Sequence, residues 1–167
     1  MGDSSDVSVR PYKPVDLEAC RALWAELTQR HRDLYADPSI GGEAAGPHVD
    51  RHLARIGPGR IWVAECDGQV VRLAGLVAEG DEAEVEPIVG TCALRGKGIG
   101  PALLKHVVEE ARQLGVRCLG VSPVARNMEA MRFYYDCGFR LRGSWNCSWT
   151  CGRLRLARGS LGQNFGD

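Results

Sequence analysis

The alternation of apolar and polar positions divides the chain into short strands and amphipathic helices. Residues 7–10 alternate strictly and read as a first strand. Pro14 suits a first helical turn, and Leu17, Cys20, Trp24 and Leu27 follow at helical spacing. Gly41, Gly42 and Gly46 mark a mobile connection. A second helix runs from Pro47, with Val49, Leu53 and Ile56 on one face and Gly57 as its stop. Residues 61–66 form a strand, Asp67-Gly68 is a two-residue hairpin signal, and 69–79 is its partner. Gly80-Asp81 turns the chain again, into a fourth strand over 83–90.

From there the period changes. Ile99, Leu103, Val107, Ala111 and Leu114 make a helical apolar stripe that Gly115 ends. Residues 116–121 are short and apolar, as a buried strand is. Asn127 is a good N-cap for a helix that Gly138 terminates, with Phe139 placed for the apolar contact beyond it. Arg140 onward reads as one or two final strands, and 160–167 as a frayed tail. The class is α/β, with an antiparallel meander feeding a strand–helix–strand unit. The absence of repeats or a linker predicts one domain over 1–167, frayed over about its first six and last eight residues.

Composition narrows the options. With 167 residues the chain is long enough for a real core. Its 21 basic and 21 acidic side chains balance, which gives no electrostatic case for nucleic acid or an anionic membrane. No apolar run approaches the ~20 residues of a membrane span, and the acidic start, Met1 to Asp6, is unlike a signal peptide. Seven scattered cysteines, an odd number, fit a reducing cytoplasm better than a disulfide framework. Cys147 and Cys151 lack CxxC spacing and a second pair, and His48 and His52 lack a third ligand, so no metal is expected.

The chemistry-bearing stretch is Arg95-Gly96-Lys97-Gly98-Ile99-Gly100, which opens the third helix. Amides at a helix start lack acceptors, and with the helix dipole they bind phosphates. A nucleotide P-loop requires GxxxxGK[ST], but here the lysine precedes the last glycines and no Ser or Thr follows it. A dinucleotide fold requires GxGxxG in a first βαβ unit, and antiparallel strands precede this loop instead.

The Arg-x-x-Gly-x-Gly arrangement, followed about thirty residues later by Asn127-Met-Glu-Ala130-Met-Arg-Phe133-Tyr134-Tyr-Asp-Cys-Gly138-Phe139, resembles the GNAT superfamily of acyl-CoA-dependent N-acetyltransferases. The resemblance covers most of the chain in element order, and residues 84–143 in detail. It implies a mixed, mostly antiparallel sheet of six or seven strands with about four helices, its fourth and fifth strands splayed around acetyl-CoA. Main-chain amides across Arg95, Gly96, Lys97, Gly98, Ile99 and Gly100 then hold the pyrophosphate. Ile88, Val89 and Gly90 pair with the pantetheine like an added strand, and Asn127 bonds the cofactor arm. Pro87 agrees with the picture, because inside a strand it cannot donate to the ladder and predicts a bulge or broken pairing.

Direct acetyl transfer needs a base for the amine, donors for the oxyanion and an acid for the departing sulfur. Tyr134 matches the family's tyrosine and is the candidate acid, with Tyr135 as fallback. Glu84 and Glu86 alternate on one strand face, and either can serve as base, with Glu86 nearer the opening at Pro87. The Val89 N–H is the expected oxyanion donor. Gly90-Thr91-Cys92 departs from the family's Val-x-Pro, which predicts a looser loop. The family's acceptor site corresponds to about residues 30–55 and 145–153, where Trp145 and Trp149 can stack on an acceptor or seal a homodimer. The expected acceptor is a small-molecule or peptide amine. The competing reading is a non-catalytic acyl-CoA-binding module of the same fold.

Overall fold

A computed structural model describes residues 6–42, 45–94, 96–141 and 154–155. In chain order the elements are β1 (Val7–Pro11), α1 (Leu17–Tyr35), α2 (Ala45–Ile56), β2 (Ile61–Cys66), β3 (Gln69–Glu79), β4 (Glu82–Gly90), α3 (Ile99–Gln113), β5 (Cys118–Val121), α4 (Met128–Asp136), β6 (Arg140–Leu141) and β7 (Leu154–Arg155). The strand order is β1-β2-β3-β4-β5-β7-β6. Pairing is antiparallel for β1 with β2, β2 with β3, and β7 with both β5 and β6; β4 and β5 pair in parallel. The mixed, mostly antiparallel sheet with four helices is the architecture the resemblance implies. No helix among the described residues is long and apolar enough to cross a membrane.

The residues gather into two compact units, Met1–Gly75 with Pro87–His106, and Leu76–Glu86 with Val107–Asp167. In the first, α1 buries Cys20 and Leu23, α2 buries Val49, Leu53 and Ile56, and β2 buries Ile61, Val63 and Ala64. Burial thus shifts along α1 from the expected stripe, because Leu17, Trp24 and Leu27 are only partly covered. The His52 ring lies 5.1 Å from Trp24, so this histidine is packing material. Asp67 and Gly68 both take positive φ, 52° and 75°, the primed turn whose twist suits a hairpin.

One ion-pair network ties this unit's first elements together. Arg10 reaches both oxygens of buried Asp16, Nη1 to Oδ2 at 2.8 Å and Nη2 to Oδ1 at 2.9 Å. It also donates to Glu65 on β2, through Nε at 3.0 Å and through Nη2. Asp16 Oδ2 accepts the Lys13 N–H at 2.7 Å, closing the 3-10 turn Pro14–Asp16 that leads into α1. The Arg10 guanidinium holds the Asp16 and Glu65 carboxyls below their ordinary values. A depressed carboxyl contributes stability that is present above its unfolded pKa, near 3.8 for Asp16, and is lost as pH falls through the folded value. The melting temperature is therefore expected to fall steeply below about pH 5, and Asp16→Asn to flatten that fall while costing about 2 kcal/mol at neutral pH. Calorimetric melts of both proteins across this range check it; equal slopes defeat the assignment.

In the second unit α3 and α4 end alike. Past α3, the Gly115 N–H reaches Arg112 O at 3.0 Å, and Val116 N–H reaches Ala111 O at 3.0 Å. Gly115 supplies the positive φ, 77°, that this Schellman closure needs. Leu114, expected in the buried stripe, is 52% exposed, because this turn carries it off the helix face and brings buried Val116 to the core. Past α4, the Gly138 N–H reaches Tyr135 O at 3.0 Å and the Phe139 N–H reaches Tyr134 O at 2.9 Å, with Gly138 at φ 89°. Phe139 is fully buried, as its place beyond the helix predicts.

Candidate active site

The glycine loop belongs to the first unit. Gly98 is the N-cap of α3, since its carbonyl accepts the Ala102 N–H at 3.1 Å. The next amides, Ile99 and Gly100, therefore have no acceptor within the helix, and Pro101 has no N–H at all. Gly96 and Gly98 take φ of 79° and 73°. A Cβ built on either meets nothing within 4 Å, so glycine is required there by backbone conformation rather than by crowding. Gly96, Lys97 and Gly98 are exposed, while Ile99 is buried and anchors the helix start. Arg95, Trp145, Trp149 and the Cys147–Cys151 pair lie outside the described residues.

Just upstream, the Gly90-Thr91-Cys92 segment makes two local hydrogen bonds. The Thr91 N–H donates to Val71 O at 3.1 Å, and Thr91 Oγ1 accepts the Ala93 N–H at 3.3 Å. A 3-10 turn, Cys92–Leu94, follows. Gly90 makes room for a neighbour: a Cβ there would stand 2.6 Å from Arg72 Cγ and 2.7 Å from Arg72 Nη1. The Arg72 side chain thus crosses the end of β4. Val89 is buried, whereas Ile88 and Gly90 are half-buried. This unit also holds a cavity of about 440 Å³ lined by Tyr12, Leu17, Asp50, Leu53 and Ile61 among others. Its Asp50 carboxylate is bound by Arg21 at 2.6 Å and 3.0 Å, which keeps it below the ordinary aspartate range. Part of its wall is α2, within the stretch expected to face an acceptor.

The candidate acid, both candidate bases and Asn127 fall in the second unit. The parallel register of β4 with β5 runs from Glu82↔Cys118 to Glu84↔Gly120. Among the described residues no pair beyond Glu84 joins these strands, although β4 continues to Gly90. Pairing is thus broken before Pro87, where the proline predicts an irregularity. Glu84 and Glu86 are both half-buried. Ser122, the first residue past β5, donates its Oγ–H to Glu84 Oε1 at 2.5 Å. In the sequence Ser122 is marked only by its place directly after a buried strand and before a proline.

Asn127 is 9% exposed and caps α4, its Oδ1 accepting the Ala130 N–H at 3.1 Å. Tyr134 is held from several sides. Its carbonyl closes the α4 terminus, and its ring lies 5.1 Å from Phe133 and 5.7 Å from Phe139. Tyr135 is less enclosed, with the Arg140 guanidinium 5.7 Å above its ring.

A mixed, mostly antiparallel seven-stranded sheet with four helices and a glycine-rich turn at the start of α3 define an acetyltransferase-type architecture. The acetyltransferase (GNAT) family model matches residues 20–139, and the chain belongs to that family. The uncharacterised N-acetyltransferase YjgM of Escherichia coli K12 is 30% identical over 105 residues, which cover 59% of this chain and 63% of that protein. The match thus spans less than two thirds of that relative's length. Among solved structures, the PaiA N-acetyltransferase of Thermoplasma acidophilum, in complex with coenzyme A, superposes with a TM-score of 0.74 at 18% identity, covering 91% of this chain and 99% of that one. A spermidine N-acetyltransferase SpeG chimera from Vibrio cholerae and hSSAT gives 0.71 at 18% identity, covering 96% and 100%. YncA of Salmonella typhimurium, with its cofactor acetyl-CoA, gives 0.66 at 19% identity, covering 92% and 95%.

Proposed function

We propose that the chain is a single N-acetyltransferase domain that moves an acetyl group directly from acetyl-CoA to a primary amine. The observation that carries this is the loop at Gly96 to Gly100 in a chain of this family. Two glycines at positive φ lead into a helix N-terminus whose Ile99 and Gly100 amides have no acceptor within the helix, a donor set that fits a pyrophosphate. Lys97, exposed beside them, adds charge. Arg95 belongs to the same stretch of sequence. Ile88, Val89 and Gly90 offer strand backbone to the pantetheine. The Asn127 cap occupies Oδ1 and leaves the amide nitrogen as a donor for the cofactor arm.

In the transfer, the neutral amine nitrogen attacks the thioester carbonyl. The C–N bond forms and the C–S bond breaks. A β4 carboxylate, Glu84 or Glu86, takes the proton leaving nitrogen. Tyr134 gives its phenolic proton to the sulfur, and solvent restores both groups. The Val89 N–H is the oxyanion donor. A covalent detour through Cys20 or Cys137 is disfavoured, because burial pushes their thiols up to about 12 and about 11.

The test is calorimetry with acetyl-CoA, followed by thiol release with spermidine, free lysine and an alanyl peptide. Binding and release with at least one amine are expected. Binding without release across a wider amine screen identifies a non-catalytic acyl-CoA module. No binding removes both readings.

A further inference from the structure

We infer that Arg72 is a positioning residue for the cofactor: its side chain fills the place of the one Gly90 lacks, and so fixes the end of β4 from which the glycine loop departs. The inference rests on the cofactor-binding part of the reading above and adds a residue to it. Three observations carry it, all within the first unit. One is a bulge in β3. Ala64 pairs with Arg72 and Glu65 with Val70, so Val71 is an extra residue with no partner on β2. A bulge bends its strand and re-aims the side chain beside it. Val71 O accepts instead from the strand's other side, taking the Thr91 N–H at 3.1 Å.

The second observation is how the space is filled. Half-buried Arg72 lies between two small residues, its buried partner Ala64 on β2 and Gly90 on β4. A Cβ on Gly90 would stand 2.6 Å from Arg72 Cγ, 2.7 Å from Nη1 and 2.9 Å from Cζ. Stem and guanidinium together thus occupy that position, as arginine stems pack along apolar surface. Gly90 does not share the positive φ of Gly96 and Gly98, so its backbone admits a side chain and the arginine takes the room for one.

The third is the place in the chain. A glycine at a strand end has nothing of its own to pack and more freedom to lose. Here the end is held from β3, by Arg72 across Gly90 and by the Thr91 bond. The 3-10 turn Cys92–Leu94 then leads directly to Gly96 and Gly98. A shift of the strand end is therefore carried into the loop that presents the Ile99 and Gly100 amides. It is the volume of Arg72 that acts, whatever hydrogen bonds its guanidinium makes.

The experiment is calorimetry with acetyl-CoA, each protein held well below its melting temperature, on wild type, Arg72→Ala, Gly90→Ala and the double variant Arg72→Ala with Gly90→Val. Each single variant is expected to bind about tenfold more weakly, the worth of one hydrogen bond to a charged group. Turnover at saturating acetyl-CoA stays within about threefold. The double variant, whose valine refills the space from β4, returns to within about threefold of wild-type affinity. A role confined to stability lowers the melting temperatures of the single variants and leaves the affinity of the folded proteins unchanged, and that result overturns the inference. A double variant no tighter than Arg72→Ala overturns it too. If Arg72→Ala does not fold, Gly90→Ala carries the test alone, and wild-type affinity in it is equally fatal. A wild type that fails to bind acetyl-CoA overturns the cofactor reading, and the inference with it.

Discussion

Gly98→Trp is expected to weaken acetyl-CoA binding by a hundredfold or more, and Gly98→Ala by about tenfold. Two costs add. An L residue at φ 73° is strained by about 1–2 kcal/mol, and the strain is relieved by rotating the loop out of the conformation that aims the Ile99 and Gly100 amides. For alanine that strain alone costs about tenfold; each hydrogen bond to a charged phosphate oxygen contributes about 1.5–3 kcal/mol, so a side chain large enough to displace both removes at least two powers of ten in affinity. Tryptophan adds bulk at the mouth of the anion site. A Cβ at Gly98 meets nothing within 4 Å, so alanine is accommodated without a clash, and the melting temperatures of both variants are expected to stay near wild type. The contrast with Gly90 sharpens the test: Gly90→Ala collides with Arg72, and its effect is expected in the melting temperature as well. Isothermal calorimetry with acetyl-CoA, beside melts of each variant, separates the two. Wild-type affinity in Gly98→Trp would falsify the pyrophosphate loop.

The parts of this molecule legible in its sequence are those whose cause is local. Gly115 and Gly138 end helices because the C-terminal closure needs a positive φ, and the apolar residue beyond each returns to the core. Asp67-Gly68 specifies its turn, and Asn127 its cap, by the same local reasoning. What sequence reading missed depends on strand pairing. The Arg10–Glu65 contact joins residues 55 positions apart and the Ser122–Glu84 bond residues 38 apart, and neither follows from composition or period. Gly90 shows the same limit. Read locally it weakens a strand end, yet in the fold it is the residue that lets Arg72 cross. The site divides in the same way. Loop and tyrosine are visible as motifs, while the point at which β4 and β5 cease to pair needs the register of a parallel neighbour.

Tyr134→Phe is expected to lower kcat about a hundredfold, within the range a positioned general acid supplies, with acetyl-CoA affinity changed less than about threefold. The substitution removes one oxygen and keeps the ring. The contacts with Phe133 and Phe139, and the carbonyl that closes α4, depend on ring and backbone alone. A role confined to packing therefore predicts near-normal turnover in this variant, and a role as proton donor predicts its loss. A donor aids the leaving group: protonating the sulfur as the C–S bond breaks eases its departure and yields the neutral thiol. A phenol is protonated at neutral pH without any environmental tuning. Tyr135 offers the control, because it lies one residue along α4 and points to a different sector of the helix. Tyr135→Phe is expected to keep turnover within about threefold. Acetyl-CoA turnover by both variants, followed as free thiol against pH, decides the matter. Loss in Tyr135→Phe with full activity in Tyr134→Phe would move the acid to the neighbouring ring.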